Sequence, residues 1–311
     1  MSVTYRPGTL DDTYATFQVF MQSILDLSQR QGVMALTGGD DPGVLAELWE
    51  RRRPLMEHLT RSAEHFWVAE NEGKVIGYAR SILRPDQGLA SGVPQHLELT
   101  EFFVMPGEQS HGVGSELLKR TFPAENDNLH RTIIATTDSR ALSLYLRAKV
   151  YPRFPVINFE RSPKVVEVPT DLQIQSLNSG DETLAILASI DQVVLGYRRD
   201  EDHAWLLSDR QGYLYYRSGK PVGYGYVGYR NGPFALMEPG DYPAVLAHAE
   251  TQAAQAGYTD FGVETPMINR QAVDYLLGRG FRLSPFIAIF LCNEPFGRFE
   301  NYLMTAPPFF L

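Results

Sequence analysis

The chain has one cysteine, Cys292, in 311 residues. A lone thiol cannot close an internal disulfide, so the cysteine content gives no sign of an exported, cross-linked protein. Its setting, Ile287-Ala288-Ile289-Phe290-Leu291-Cys292, reads as a buried strand and not as the surroundings of a nucleophile. Long apolar runs are missing as well, since none approaches the roughly 20 residues that span a bilayer. Met1-Ser2-Val3-Thr4-Tyr5-Arg6-Pro7 lacks a secretory pattern. Together these absences predict a cytoplasmic protein with no membrane partner. Positive charge is also scarce: 28 Lys+Arg face 37 Asp+Glu, a net charge of -9. Binding a phosphate backbone calls for a basic face, so nucleic acid is not expected as a partner. The seven histidines are scattered, and no His/Cys spacing suggests a metal site. No Ser/His/Asp or Cys/His arrangement offers a nucleophile context either.

What is present is ordinary for a soluble enzyme, with 44% hydrophobic and 21% charged residues. The length suits two domains. Charge is divided unevenly: residues 165–311 hold 10 Lys+Arg against 17 Asp+Glu, whereas residues 1–164 hold 18 against 20. An acidic second half suits attraction of a cationic amine, and equally an ordinary solvated surface.

One stretch carries chemistry. Leu97-Glu98-Leu99-Thr100-Glu101-Phe102-Phe103 reads as a strand, and Ser115-Glu116-Leu117-Leu118-Lys119-Arg120-Thr121-Phe122 as an amphipathic helix. Between them lies Val104-Met105-Pro106-Gly107-Glu108-Gln109-Ser110-His111-Gly112-Val113-Gly114. A strand, a glycine-punctuated turn and a helix start form an anion cradle. Backbone N–H groups and the helix dipole face the charge, and glycine lets the backbone come close. The order of the glycines differs from the dinucleotide loop G-x-G-x-x-G and lacks the Gly-Lys-Ser/Thr ending of a triphosphate loop. Within this stretch, V-x-P-x-x-Q-x-x-G-x-G resembles the acetyl-CoA pyrophosphate loop of the GNAT superfamily of N-acetyltransferases.

A second feature is repetition. Gly73-Lys74-Val75-Ile76-Gly77-Tyr78 recurs as Gly219-Lys220-Pro221-Val222-Gly223-Tyr224 at an offset of 146, each in a strand–turn–strand pattern. Before each hairpin a short strand leads into a helical pattern, with Asp11-Asp12 or Asp181 expected at the helix N-cap. Two helices, from Asp12 to about Gln31 and from about Pro42 to Ala63, are expected around a break at Gly38-Gly39-Asp40-Asp41-Pro42. Arg51-Arg52-Arg53 within the second reads as a solvated helix face before a substrate anion site. Late in each copy, Asp138-Ser139-Arg140-Ala141-Leu142-Ser143-Leu144-Tyr145 aligns with Asn269-Arg270-Gln271-Ala272-Val273-Asp274-Tyr275-Leu276. Both resemble the superfamily's second motif, N-x-x-A-x-x-L-Y-x-x-x-G-F.

The copies part company at the cradle. Setting Pro239 on Pro106 puts Tyr242, Val245 and Ala247 opposite Gln109, Gly112 and Gly114. Side chains there would hold the backbone away from a pyrophosphate. The resemblance therefore implies two tandem GNAT folds of the α/β (α+β) class, each a mixed, mostly antiparallel sheet flanked by helices. Residues 1–161 would be the acetyl-CoA-binding, catalytic domain, 162–169 a linker, and 170–311 a degenerate GNAT-like domain.

By that resemblance, Gln109, Ser110, His111, Gly112, Val113 and Gly114 hold the pyrophosphate, and the amides of Phe103 and Val104 meet the pantetheine arm beside a bulge. Asp138 stands near the cofactor where a neutral Asn is usual. Tyr145 occupies the general-acid position, its phenol able to protonate a departing thiolate. Glu101 is the chosen base or amine-binding carboxylate. In a regular strand Glu98 and Glu101 face opposite sides, so only one reaches the substrate unless a bulge intervenes. His111, inside the loop, contributes its N–H and not a base. In some tandem enzymes of the superfamily the terminal carboxylate reaches the first site, and here Ala306-Pro307-Pro308-Phe309-Phe310-Leu311 reads as packed against the protein. The activity implied is direct acetyl transfer from acetyl-CoA to a primary amine of a small-molecule or peptide acceptor, by a monomer or homodimer. A non-catalytic acyl-CoA-binding or regulatory module is the competing reading.

Overall fold

The computed structural model describes residues 3–33, 41–84, 95–123, 129–306, 308 and 311. The first half runs β1 (Thr4–Pro7), α1 (Thr13–Gln31), α2 (Pro42–Arg61), β2 (His65–Asn71), β3 (Lys74–Arg84), β4 (Gln95–Val104), α3 (Val113–Thr121), β5 (Leu129–Thr136), α4 (Ser139–Arg147) and β6 (Tyr151–Arg161). The second half runs β7 (Gln173–Ser176), α5 (Asp181–Val194), α6 (Asp200–Asp209), β8 (Gln211–Arg217), β9 (Lys220–Val227), β10 (Phe234–Leu236), α7 (Tyr242–Gln255), β11 (Phe261–Pro266), α8 (Arg270–Gly278), β12 (Arg282–Cys292) and β13 (Tyr302–Leu303). Among the described residues no helix is long and apolar enough to cross a membrane.

Both expected hairpins form, and for one reason. Glu72 and Gly73 have φ of 51° and 75°, and Ser218 and Gly219 have φ of 50° and 76°. Two consecutive left-handed residues match the right-handed twist of the flanking strands, so Gly-Lys ends each turn. The first helix ends at Gly32, φ 65°. Asp41 caps the second, its Oδ1 accepting from Gly43 N at 2.8 Å and Val44 N at 3.1 Å. The rest of the expected break, Gly38-Gly39-Asp40, lies outside the described residues. Two other caps differ from expectation. Asp12 turns its carboxylate back to Thr9 N, at 2.8 Å, and to Arg6. Gly180, not Asp181, stands at the α5 N-cap. An arginine or an upstream amide outcompetes the helix end when it lies closer.

The described residues fall into two compact units. One holds residues 1–84 and 95–151 together with Leu291–Glu294, the other residues 152–290 and 295–311. The first has β1, β2, β3 and β4 in antiparallel order, with β5 parallel to β4. Its two faces are covered differently. Thr16 of α1 meets Arg80, while Leu117 of α3 lies 3.2 Å from the position of a Cβ on Gly77. Residues 77 and 80 point to opposite sides of the sheet, so α1 and α3 sandwich it.

The second unit has an antiparallel sheet in the order β13-β10-β9-β8-β7, and an antiparallel pair of β6 with β11. Its core is built from side chains such as Phe159, Tyr215, Phe234, Tyr242, Phe261 and Leu276. Of the chain's apolar end, Ala306 and Leu311 are buried, whereas Pro307, Phe309 and Phe310 lie outside the described residues. The units do not follow the sequence repeat end to end. Most of β6 belongs to the second, and Leu291–Glu294 to the first.

There Asn293 fastens the edge of β5: its Oδ1 accepts from Arg131 N at 2.7 Å and its Nδ2 donates to Leu129 O at 2.8 Å. Its removal orphans two main-chain groups, each costing about 1–3 kcal/mol where water is excluded. Asn293→Ala is therefore expected to lower unfolding stability by roughly 1–3 kcal/mol, read as a shifted urea midpoint with an unchanged slope.

Candidate active site

β4 pairs with β5 only from Gln95↔Leu129 to Leu99↔Ile133, although the strands run on to Val104 and Thr136. On its other side the register with β3 slips between Arg80↔Glu101 and Ser81↔Leu99. Thr100 is thus the extra residue of a β-bulge, and its hydroxyl donates to Arg80 O at 3.2 Å. The bulge bends β4, and beyond it the strand parts from β5 and leaves a wedge.

Alternation along the strand decides which amides face that wedge. Met105 N donates to Ile76 O, which makes Val104↔Gly77 a pair that does not bond to itself. Val104 and Phe102 therefore turn their main-chain groups away from β3, while those of Phe103 belong to the ladder with Tyr78. The open amides are those of Phe102 and Val104, one residue removed from the expected Phe103. The Val104 carbonyl, on the open side, is met by Gln109 Nε2 at 2.8 Å and Ser23 Oγ at 3.2 Å.

Gln109 thus straps the loop to the end of β4 instead of projecting outward. Beyond it Ser110 and Gly112 are left-handed, at φ 68° and 89°. Gly112 is the N-cap of α3, and no side chain caps that end. Nothing lies within 4 Å of a Cβ built on Gly112. The orphan N–H groups at the start of α3, with that open space and the helix dipole, form a cradle suited to a diphosphate. Val113 is buried and anchors the helix, and His111 is exposed. Gly114 has a second reason to be glycine: a Cβ there would lie 3.1 Å from Phe102 Cζ. The Phe102 ring closes the floor between α3 and α4, where its centroid is 6.0 Å from that of Tyr145.

Tyr145 is buried on α4, and its hydroxyl has no hydrogen-bond partner among the described residues. Burial, and after it the charge of Asp138, pushes its pKa far above the ordinary phenol value. The group stays protonated and able to donate. Asp138 is engaged elsewhere. It caps α4 by accepting from Arg140 N at 2.9 Å and pairs with Arg30 at 2.9 Å and Arg140 at 2.8 Å. Burial works against its charge, but these hydrogen bonds prevail and hold the carboxyl well below the usual range.

The bulge also settles the facing of the two glutamates. Glu98 lies opposite Ile82 and Glu101 opposite Arg80, and those partners are two residues apart on β3. Both carboxylates therefore share the face that α1 covers. Glu101 is gripped there: Tyr78 Oη donates to Oε1 at 3.0 Å, Arg80 Nη1 donates to Oε2, and Arg80 Nη2 donates to Thr16 Oγ1 at 3.0 Å. All four residues are buried. Both carboxylate oxygens of Glu101 are thus occupied by buried donors, which fix its position. Sequence reasoning missed both Tyr78 and Arg80, although the repeated Gly-Tyr block already marked Tyr78.

These elements coincide with known proteins. Residues 30–148 match the Acetyltransferase (GNAT) family. The span includes β4, the loop, α3, β5 and α4. A candidate acetyltransferase from Pyrococcus horikoshii has a similar structure, at TM-score 0.68 and 14% identity over 96% of this chain and 92% of that one. A GCN5-related N-acetyltransferase from Sphaerobacter thermophilus is similar at TM-score 0.56 and 14% identity, over 95% and 97% of the two chains. A tandem GNAT protein from the clavulanic acid biosynthesis pathway is similar at TM-score 0.53 and 14% identity, over 94% and 99%. No curated protein sequence matches significantly. The family match is confined to residues 30–148 of the first half, and the chain as a whole shares its fold with these acetyltransferase structures, the tandem GNAT protein included.

In the second half the corresponding positions are filled. At the offset that sets Pro239 on Pro106, α3 would begin at Leu246, but α7 begins at Tyr242. One extra helical turn, Tyr242 to Val245, stands where the first copy has its loop. Tyr242, Val245 and Leu276 are wholly buried, and by strand register Phe234 and Ala235 stand where the first copy has Phe102 and Phe103. Tyr224, the counterpart of Tyr78, donates to buried Asp191, which also pairs with Arg199 at 3.1 Å and with His203 at 2.8 Å. This cluster satisfies itself.

A side chain at Gly112 would bring both strain and obstruction. Gly112→Val, which installs the second copy's residue, is expected to lower stability by roughly 1–3 kcal/mol in urea unfolding, because left-handed φ is costly for a branched residue. Coenzyme A affinity, measured by calorimetry, falls with it.

Proposed function

We propose that the chain is an N-acetyltransferase that moves an acetyl group from acetyl-CoA to a primary amine of a small-molecule or peptide acceptor within a ternary complex. The observation that carries this reading is the uncapped start of α3 beside the wedge that opens past Leu99. Those groups fit a diphosphate followed by an extended arm. The N–H groups of Gly112, Val113 and Gly114 would hold the diphosphate, with Ser110 and His111 completing the turn and Gln109 strapping it. The open amides of Phe102 and Val104 would bond the arm along β4.

When bound, the thioester supplies the activated acetyl group. The chain's own residues do the rest. Tyr145 donates its O–H toward the sulfur that leaves, as a proton or a hydrogen bond that steadies the developing charge. Glu101, held in place by Arg80 and Tyr78, is the carboxylate that orients an ammonium on the acceptor side. A lysine-like amine must lose its proton first, at a cost of about 4.6 kcal/mol at pH 7. Glu98, on the same face, is the candidate acceptor of that proton. The second half, its cradle replaced by a helical turn, acts as a scaffold without cofactor, and 1–161, 162–169 and 170–311 are its proposed functional divisions. A cytoplasmic setting accords with this chemistry. The ion pair that occupies Glu101 gives some weight to the second reading, an acyl-CoA-binding module without turnover.

Calorimetry with coenzyme A and thiol release from acetyl-CoA over an amine panel separate the two: binding with turnover supports the enzyme, and binding alone supports the module. Tyr145→Phe is expected to lower kcat on the order of 100-fold while leaving coenzyme A affinity unchanged. Because the phenol pKa is raised, no loss of wild-type activity assignable to Tyr145 ionisation is expected up to pH 10. A basic limb that vanished in Tyr145→Phe would refute this.

A further inference from the structure

The second half fills its own wedge. Between β10 and β11 lies β13, with Leu303 opposite Phe234 and Tyr302 opposite Ala235. On its other side Met304 N donates to Glu264 O at 2.9 Å. A late segment of the chain thus occupies, as an extended peptide, the slot that stays open between β4 and β5 in the first half. A side chain meets it there. Asn269, the N-cap of α8, accepts from Ala272 N at 3.1 Å through Oδ1 and donates through Nδ2 to Tyr302 O at 3.4 Å. One atom caps the helix and the other serves the occupant of the wedge.

The counterpart of Asn269 in the first half is Asp138, the N-cap of α4. Its Oδ1 accepts from Arg140 N at 2.9 Å, but a carboxylate has no N–H to offer a carbonyl in the wedge. Its Oδ2 instead receives Arg140 Nη2 at 2.8 Å and Arg30 Nη2 at 2.9 Å. Arg30 is the one that stands over the opening. Ser23 and Arg30 lie about two turns apart along one face of α1. Ser23 Oγ reaches Val104 O at the end of β4, and Arg30 reaches Asp138 just past the end of β5, so this face of α1 crosses the wedge. Gln31 moors the helix end by donating to Thr137 Oγ1 at 2.9 Å. Asp26 accepts from Arg30 Nε at 2.8 Å, so two carboxylates steady the guanidinium while its Nη1 has no partner among the described residues. We infer that Arg30 supplies in the first wedge the donor that Asn269 supplies in the second, and that it holds an amide carbonyl of the pantetheine arm of coenzyme A. The inference rests on the acetyl-CoA reading above. It accounts for a carboxylate at position 138, which needs no N–H of its own while it carries those of Arg30.

The test is the affinity of the full chain, by calorimetry, for coenzyme A and for dephospho-coenzyme A, which keeps the arm and lacks the ribose phosphate. Arg30→Met is expected to weaken both on the order of tenfold, as loss of a charge-assisted hydrogen bond implies. Adding Asp138→Asn gives that position an N–H, and this double variant is expected to regain most of the loss. Adding Asp138→Ala removes the same charge without supplying a donor and is expected to regain none. Urea midpoints establish that each variant is folded under the titration conditions. Three results overturn the inference: unchanged affinity in Arg30→Met; a loss confined to coenzyme A, which puts Arg30 on the ribose phosphate; and recovery that is absent or equal in the two double variants. Failure of the acetyltransferase reading shows separately in the wild type, as absent coenzyme A binding or as binding without thiol release.

Discussion

The point on which the first unit turns is the place where β4 stops pairing with β5. A parallel pair that continued past Leu99 and Ile133 would satisfy every main-chain group and leave no room for an extended ligand. The extra residue at Thr100 prevents this, and its hydroxyl occupies the Arg80 carbonyl at the kink. Three features follow from that one insertion. The strands part, the amides of Phe102 and Val104 face open space, and Glu98 and Glu101 come to one face instead of two. None of the three would survive a regular strand.

The second half shows what the same fold becomes when the site is not needed. A loop that must keep its N–H groups bare is costly to maintain, because it leaves donors unpaired and requires left-handed backbone. The second half replaces it with a turn of helix, whose side chains Tyr242 and Val245 enter the core. By strand register Ala235 stands where the first half has Phe103, so a ring is exchanged for a methyl group beside the shared tyrosine. These are compensated substitutions, consistent with a unit selected for packing.

Much of this was legible beforehand, for identifiable reasons. The hairpins, the α2 cap at Asp41 and the cradle are local, written in glycine and aspartate at fixed offsets. The bulge was expected only through the family resemblance, because a register slip depends on both strands and leaves no mark in β4 alone. The grip on Glu101 leaves no mark in the sequence either. Its partner Arg80 is 21 residues distant, on β3, and no spacing rule links them. Asp12 stands at the α1 N-cap as expected, but its carboxylate serves Thr9 and Arg6, which are nearer in space than the helix end.

The four residues Leu291–Glu294 also bear on how the molecule is made. A chain emerging from the ribosome completes its first sheet long before these residues appear, since they come more than 150 positions after β5 ends. During that interval the Leu129 and Arg131 main-chain groups lack the carboxamide that later covers them, and a bare strand edge is open to other nascent chains. Assembly of the first half is thus finished by one of the last segments to be synthesised, which places the greatest risk of misassociation during translation and not in the mature protein.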